Sequence, residues 1–204
     1  MILRYCLSLF ILLSFASISM ADSPSENREA LLIIDMSNDF VADRGSLSAG
    51  KPAQAIVPYI IKTADEFLKK GKPVIICMDS HQKGEKELEG WPDHNIKGTW
   101  GQELYGGLSE WYKKNRSNPG VMYVFKKQYD AFYGTGLEKI LKSKKIRTVH
   151  LTGVCTDICV FLTGSGANER GFKTVVHRAG TATFTGNHEV FLKHMELIFK
   201  SEVR

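Results

Sequence analysis

The chain has 204 residues and is poor in cysteine, with four in all. Cys6 sits in an apolar N-terminal segment, which leaves Cys77, Cys155 and Cys159 for the rest of the chain. A small exported protein held by disulfides carries a dense, even set. Three cysteines do not make one, and the odd number leaves at least one free thiol as a candidate nucleophile. The sequence also lacks a basic stripe with interleaved aromatics. Its formal net charge is only +5, and its lysines are scattered in short groups such as Lys69-Lys70 and Lys113-Lys114. That argues against nucleic acid as a partner. There is no internal repeat, no low-complexity tract and no second long apolar run that would make a multi-span membrane protein.

The N-terminal segment has a recognisable layout. Arg4 is followed by an apolar stretch from Leu7 to Phe15, then by small residues, with Ser19-Met20-Ala21 ahead of Asp22. Such a segment reads as a secretory signal peptide over residues 1–21, the alternative being an uncleaved anchor. The mature protein is then expected to span residues 22–204 as one domain, exported to a periplasm or secreted. Removing residues 1–21 takes away Arg4 alone among the charges and leaves 26 basic against 22 acidic residues.

Beyond a polar tail, short continuous apolar runs recur. They are Ala30-Leu31-Leu32-Ile33-Ile34, Val74-Ile75-Ile76-Cys77-Met78, Val121-Met122-Tyr123-Val124-Phe125, Val149-His150-Leu151 and Lys173-Thr174-Val175-Val176. Runs of this length fit strands buried on both faces. Between them lie apolar residues at helical spacing, as in Ile56, Ile60, Ala64 and Phe67, or Val190, Phe191, Met195, Leu197 and Ile198. Alternation of this kind predicts a three-layer α/β/α fold around a doubly wound, mainly parallel sheet of five or six strands. Ligands of such sheets bind beyond the carboxyl ends of the strands.

Several strand ends carry reactive side chains. Asp35 follows the first run, Asp79 and His81 the second, Lys126 the third, and Gly153-Val154-Cys155-Thr156-Asp157-Ile158-Cys159 the fourth. Taken singly, Asp35 could be a turn residue, Lys126 a surface lysine and Cys159 a buried apolar residue. Together they form a thiol, a carboxylate to take its proton and a cation to balance the charge. A helix is expected to begin at this turn, with Thr156 or Asp157 as its N-cap. Residues 79–107 form a long irregular stretch, a length that is usually functional. It contains Asp79, His81, Glu85, Glu87, Glu89 and His94, a donor set that suits Zn²⁺, Mn²⁺ or Fe²⁺ or that reads as an ordinary polar loop.

Three blocks, Leu-Leu-Ile-Ile-Asp-Met-Ser-Asn-Asp-Phe, Lys-Lys-Gln-Tyr-Asp-Ala-Phe-Tyr-Gly-Thr and Gly-Val-Cys-Thr-Asp-Ile-Cys-Val, resemble those of the isochorismatase-like cysteine hydrolases, in the family's order. The resemblance implies a catalytic triad of Asp35, Lys126 and Cys159. It also implies an oxyanion hole from the backbone N–H groups of Cys155 and Cys159, and a cis peptide before Cys155. Within the family the chain is most similar to the nicotinamidase (pyrazinamidase) branch. That likeness implies one divalent ion, zinc first and manganese or iron as alternatives, held by Asp79, His81, Glu87 and His94. Glu85 and Glu89 stay open as the third ligand. Phe40, Trp91 and Tyr133 fall where that branch borders its substrate ring.

The function implied is hydrolysis of nicotinamide to nicotinate and ammonia through a cysteine thioester. A related amidase or carbamoyl hydrolase is the first alternative, and an exported metal-binding protein without turnover the second. The expected partner is a small-molecule amide. No nucleic acid and no stable membrane anchor after cleavage are expected, and a homo-oligomer is left open.

Overall fold

The computed structural model describes residues 28–204, so the expected signal peptide and the start of the mature chain lie outside the described residues. Six strands form one sheet in the order β3-β2-β1-β4-β5-β6. They are β1 Glu29–Ile34, β2 Val74–Asp79, β3 Val121–Lys126, β4 Thr148–Val154, β5 Lys173–Ala182 and β6 Glu202–Val203. Every pairing is parallel. The five apolar runs of the sequence are β1 to β5. The short β6 carries no such run, and it pairs through Val175↔Glu202 and Val176↔Val203.

Alternation along the central strands builds two cores. Leu31 and Ile33 of β1 and Val74, Ile76 and Met78 of β2 face one helical layer. Ala30, Leu32, Ile34, Ile75 and Cys77 face the other. The first layer contains α2 Gly50–Ala55, α3 Val57–Lys69 and α4 Gly107–Asn115, following the short α1 Asn38–Val41. The second contains α5 Leu137–Ser143, α6 Phe161–Glu169 and α7 His188–Phe199. In α3 the buried residues Ile60, Ala64 and Phe67 belong to the periodic stripe read from the sequence, whose Ile56 stands at the N-cap. Full burial of a side chain such as Ile60 contributes about 1.5–3 kcal/mol.

In α7 the outcome differs. Leu192 and Met195 are the buried residues, while Val190, Leu197 and Ile198 are exposed. The helix carries apolar residues on two faces, and periodicity cannot say which one the sheet takes. Among the described residues no helix is long and apolar enough to cross a membrane.

The strand order reverses between β1 and β4, which places a crevice at their carboxyl ends. β4 comes close enough to β1 that a Cβ on Gly153 would lie 2.0 Å from the carbonyl oxygen of Ile34. Gly153 also has φ +111°, so glycine is required there on both counts.

Candidate active site

Asp35 ends β1 with a left-handed backbone, φ 55°, a conformation that costs a residue with a Cβ about 1–2 kcal/mol. The turn is fixed by two bonds. The Asp35 N–H donates to the Cys77 carbonyl at 2.9 Å, and Asp35 Oδ1 accepts the Asp79 N–H at 3.0 Å. Lys126, at the end of β3, is fully buried and reaches sideways along the strand ends. Its Nζ lies 2.7 Å from Asp35 Oδ2 and 2.5 Å from Asp79 Oδ1, and donates to the Gln128 carbonyl at 3.1 Å. A buried ammonium between two carboxylates and a carbonyl is well satisfied.

The titration behaviour follows from this packing. Asp35 is pushed up to about 6 by burial and by neighbouring Asp79, with Lys126 opposing both. Burial works against the charge on Lys126, but Asp35 and Asp79 overcome it and hold the lysine well above its ordinary range. Asp79 is also buried, yet Lys126 and His81 keep it below the usual carboxylate range.

Cys159 sits in a π-helical turn, Thr156–Val160, that leads into α6. Such turns occur frequently at functional sites. The expected cap is corrected here. Cys155 occupies the N-cap position, and no side chain caps the turn. Thr156 instead meets the His188 ring at 2.9 Å, and Asp157 accepts the hydroxyls of Thr183 and Thr185. The peptide Val154–Cys155 is cis, as the resemblance implied. The Cys159 thiol lies beside the Asp35 carboxylate, and burial pushes it well above the ordinary thiol range, with Lys126 pulling it back. Cys155 is pushed up to about 12, chiefly by burial.

The long loop folds back on itself. His81 N–H donates to Asn95 at 3.1 Å and Lys97 N–H to His81 at 2.8 Å. Asp39, in α1, accepts the N–H groups of Asn95 and Ser46. This pairing carries His94 next to His81, with ring centroids 5.1 Å apart. Nε2 of each histidine lies 3.8 Å from Asp79 Oδ2. One donor atom from each of Asp79, His81 and His94 falls within 4.8 Å of the others, and all three residues are buried. His94 Nδ1 contacts the Pro92 carbonyl at 2.8 Å, so its proton belongs there and Nε2 keeps its lone pair. Among the described residues, these three donors form a set that suits a divalent ion. Glu87 lies in a 3₁₀ turn, Lys86–Leu88, and its side chain is outside the described residues. Glu85 lies against the other edge of His81, 3.4 Å from Nδ1, and Glu89 is exposed.

One cavity joins the two halves of the site. Cys155, Cys159, Asp79, His81 and His94 all line it, as do Phe40 and Trp91. Tyr133 does not. It is 66% exposed and lines a neighbouring cleft with Phe125. Tyr129 stands there instead and accepts the Trp91 indole N–H at 3.0 Å. Tyr129 was within reach of a sequence reading, in the same block as Tyr133. Phe184 also lines the cavity, and nothing in its local sequence marks it.

Known proteins show the same arrangement of chain and fold. The isochorismatase domain profile matches residues 29–202. An uncharacterised isochorismatase family protein, PncA of Bacillus subtilis, is 44% identical over 160 residues, which cover 77% of this chain and 87% of that one. The crystal structure of nicotinamidase/pyrazinamidase PncA from Bacillus subtilis superposes with a TM-score of 0.84 at 39% identity, covering 86% of this chain and 98% of that one. The pyrazinamidase/nicotinamidase of Streptococcus mutans gives a TM-score of 0.84 at 38% identity, covering 86% and 99%. With the sheet order, the strand-end residues and these likenesses in agreement, the chain belongs to the isochorismatase family.

Proposed function

We propose that this hydrolase is a nicotinamidase, converting nicotinamide and water to nicotinate and ammonia. One observation carries the reading. A buried thiol with the Asp35 carboxylate beside it opens into the same cavity as an Asp-His-His cluster. The likeness to nicotinamidase structures supports the same substrate.

In this reading Asp35 removes the proton of Cys159 as the sulfur attacks the carboxamide carbon. Lys126 keeps Asp35 charged and unable to rotate away. The backbone N–H groups of Cys155 and Cys159 receive the oxyanion. Asp35 returns its proton to the departing nitrogen, and ammonia leaves a thioester on Cys159. Asp35 then takes a proton from water, which attacks the thioester and releases the acid. Phe40, Trp91 and Tyr129 give the ring an apolar slot. A divalent ion held by Asp79, His81 and His94 would supply a Lewis-acid anchor for the ring nitrogen, which sets the carboxamide toward Cys159.

The test is ammonia release by purified protein across nicotinamide, pyrazinamide, benzamide and several carbamoyl compounds. A preference for a carbamoyl compound over nicotinamide would replace the substrate and keep the cysteine chemistry. Export is a further part of the reading, supported by the layout of residues 1–21. N-terminal sequencing of exported material should begin near Asp22.

A further inference from the structure

His81 touches a carboxylate on each edge of its ring. Its Nε2 faces Asp79 Oδ2 at 3.8 Å, and its Nδ1 faces Glu85 Oε2 at 3.4 Å. Both atoms of the second contact are buried, and neither has a hydrogen-bond partner, the 3.4 Å approach being an ion-pair contact. A buried carboxylate oxygen without a partner costs about 1–3 kcal/mol or more, so this placement needs a reason. The other oxygen of Glu85 supplies part of it. Oε1 lies 2.6 Å from Lys127 Nζ, which ties the carboxylate to the residue just beyond β3. Glu85 stands at the N-cap of the turn Lys86–Leu88, yet its side chain makes no capping bond. It is committed to His81 and Lys127.

We propose that Glu85 is a positioning residue for the metal centre, accepting the Nδ1–H of His81 so that Nε2 faces the ion. The inference rests on reading Asp79, His81 and His94 as that centre. Imidazole nitrogens point in opposite directions, so an ion at Nε2 has the whole ring between it and Glu85. Glu85 is therefore not a fourth ligand. Carboxylates in this outer position fix the tautomer of the ligating ring and raise its basicity. The two histidines are held differently. His94 gives its Nδ1–H to a neutral carbonyl, that of Pro92, whereas His81 has a carboxylate behind it. The charge of Glu85 thus falls on one ligand only.

The experiment is zinc binding by the full protein, measured by competition with a chromogenic chelator and without substrate. Replacing an outer partner typically costs 10–100-fold in affinity, so Glu85→Ala should lose that much. Glu85→Gln keeps an oxygen that can accept the Nδ1–H, and should lose less. Lys83→Ala, on the same loop and exposed, should bind as the parent does. The visible spectrum of the cobalt-loaded protein should shift in both Glu85 variants and not in Lys83→Ala, a change that general loosening of the loop does not produce. Thermal melting without metal checks folding, and the isosteric Glu85→Gln carries the test alone if Glu85→Ala is unstable. Parent-like affinity and an unchanged cobalt spectrum in the Glu85 variants overturn the proposal. If the parent protein binds no zinc, or His94→Ala binds it equally well, the metal centre itself is wrong and the role of Glu85 falls with it.

Discussion

Asp35 and Asp79 share one lysine. The Nζ of Lys126 lies 2.7 Å from the first and 2.5 Å from the second, and the Asp79 N–H also donates to Asp35. The base that serves Cys159 and a ligand of the candidate metal centre are thus parts of one charge cluster. Removing the lysine leaves two buried carboxylates facing each other. Lys126→Met should therefore lower stability by about 3–5 kcal/mol and cut kcat at least about 100-fold. It should also slow alkylation of Cys159, since Lys126 is what pulls that thiol down. Iodoacetamide kinetics against pH, alongside urea unfolding, measure both effects. An unchanged thiol titration would refute the electrostatic role.

The nucleophile is singled out by its partner. Of the two cysteines lining the cavity, Cys159 has the Asp35 carboxylate beside it, while Thr183 is the side chain that acts on Cys155. Cys159→Ala should lose on the order of 10³-fold or more in kcat. Cys155→Ala should keep a substantial fraction, and Cys77→Ala, buried in β2, should lose stability more than catalysis. Mass spectrometry of quenched turnover should find the acyl group on Cys159. An acyl group on Cys155 would transfer the role.

The metal reading makes a substrate prediction. Benzamide has the carboxamide and the ring of nicotinamide but no ring nitrogen. Losing one buried interaction costs about 1–3 kcal/mol, so kcat/KM should fall roughly tenfold or more. Chelation, or His94→Ala, should lower the rate on nicotinamide and close the gap. Equal rates on both amides, insensitive to chelator, would remove nicotinamide as the substrate.

Away from the site, a buried pair of histidines sets an acid limit on stability. His150 Nδ1 and His177 Nε2 lie 2.8 Å apart, and His177 Nδ1 meets the Tyr59 hydroxyl at 2.9 Å. Burial lowers both rings to about 4, with His177 adding to the effect on His150, and Glu29 opposing it. In the unfolded chain they titrate near 6.5. The unfolded state therefore takes up protons first as pH falls. Their contribution is complete above about 6.5 and is lost on the way down to about 4. At 1.36 kcal/mol per pH unit for each group, a few kcal/mol are at stake. Urea unfolding at several values between pH 7 and 4.5 should show the slope, and His177→Gln should flatten it. The same slope in the variant would place the acid sensitivity elsewhere.

Much of the site is legible in the sequence because it rests on strand ends. Apolar runs buried on both faces announce themselves, and the residue after each run has only one place to be. That is why the order of the runs alone groups Asp35, Asp79, Lys126 and Cys159. The loop is harder to read. His94 reaches the site because Asn95 and Lys97 pair with His81 and because Asp39 holds Asn95, and none of these bonds has a periodic signature. Tyr133 is misplaced for a related reason, since an aromatic in a turn faces whichever way the turn winds. The electrostatics of the thiol are also hidden from the sequence, since burial raises it while Lys126 lowers it.

Asp79 and Lys126 are direct neighbours across the β2–β3 ladder. Since side chains alternate between sheet faces, a slip of one residue in that ladder would turn Lys126 away from both carboxylates. Chemistry at this site is thus bound to alignment of the backbone. An inserted residue in the 116–120 connection leaves β3 free to keep its pairing, whereas one inserted within 121–126 forces a choice between hydrophobic packing and charge placement. Redesign of this hydrolase has wide latitude in its connections and almost none inside the strands that carry its charges.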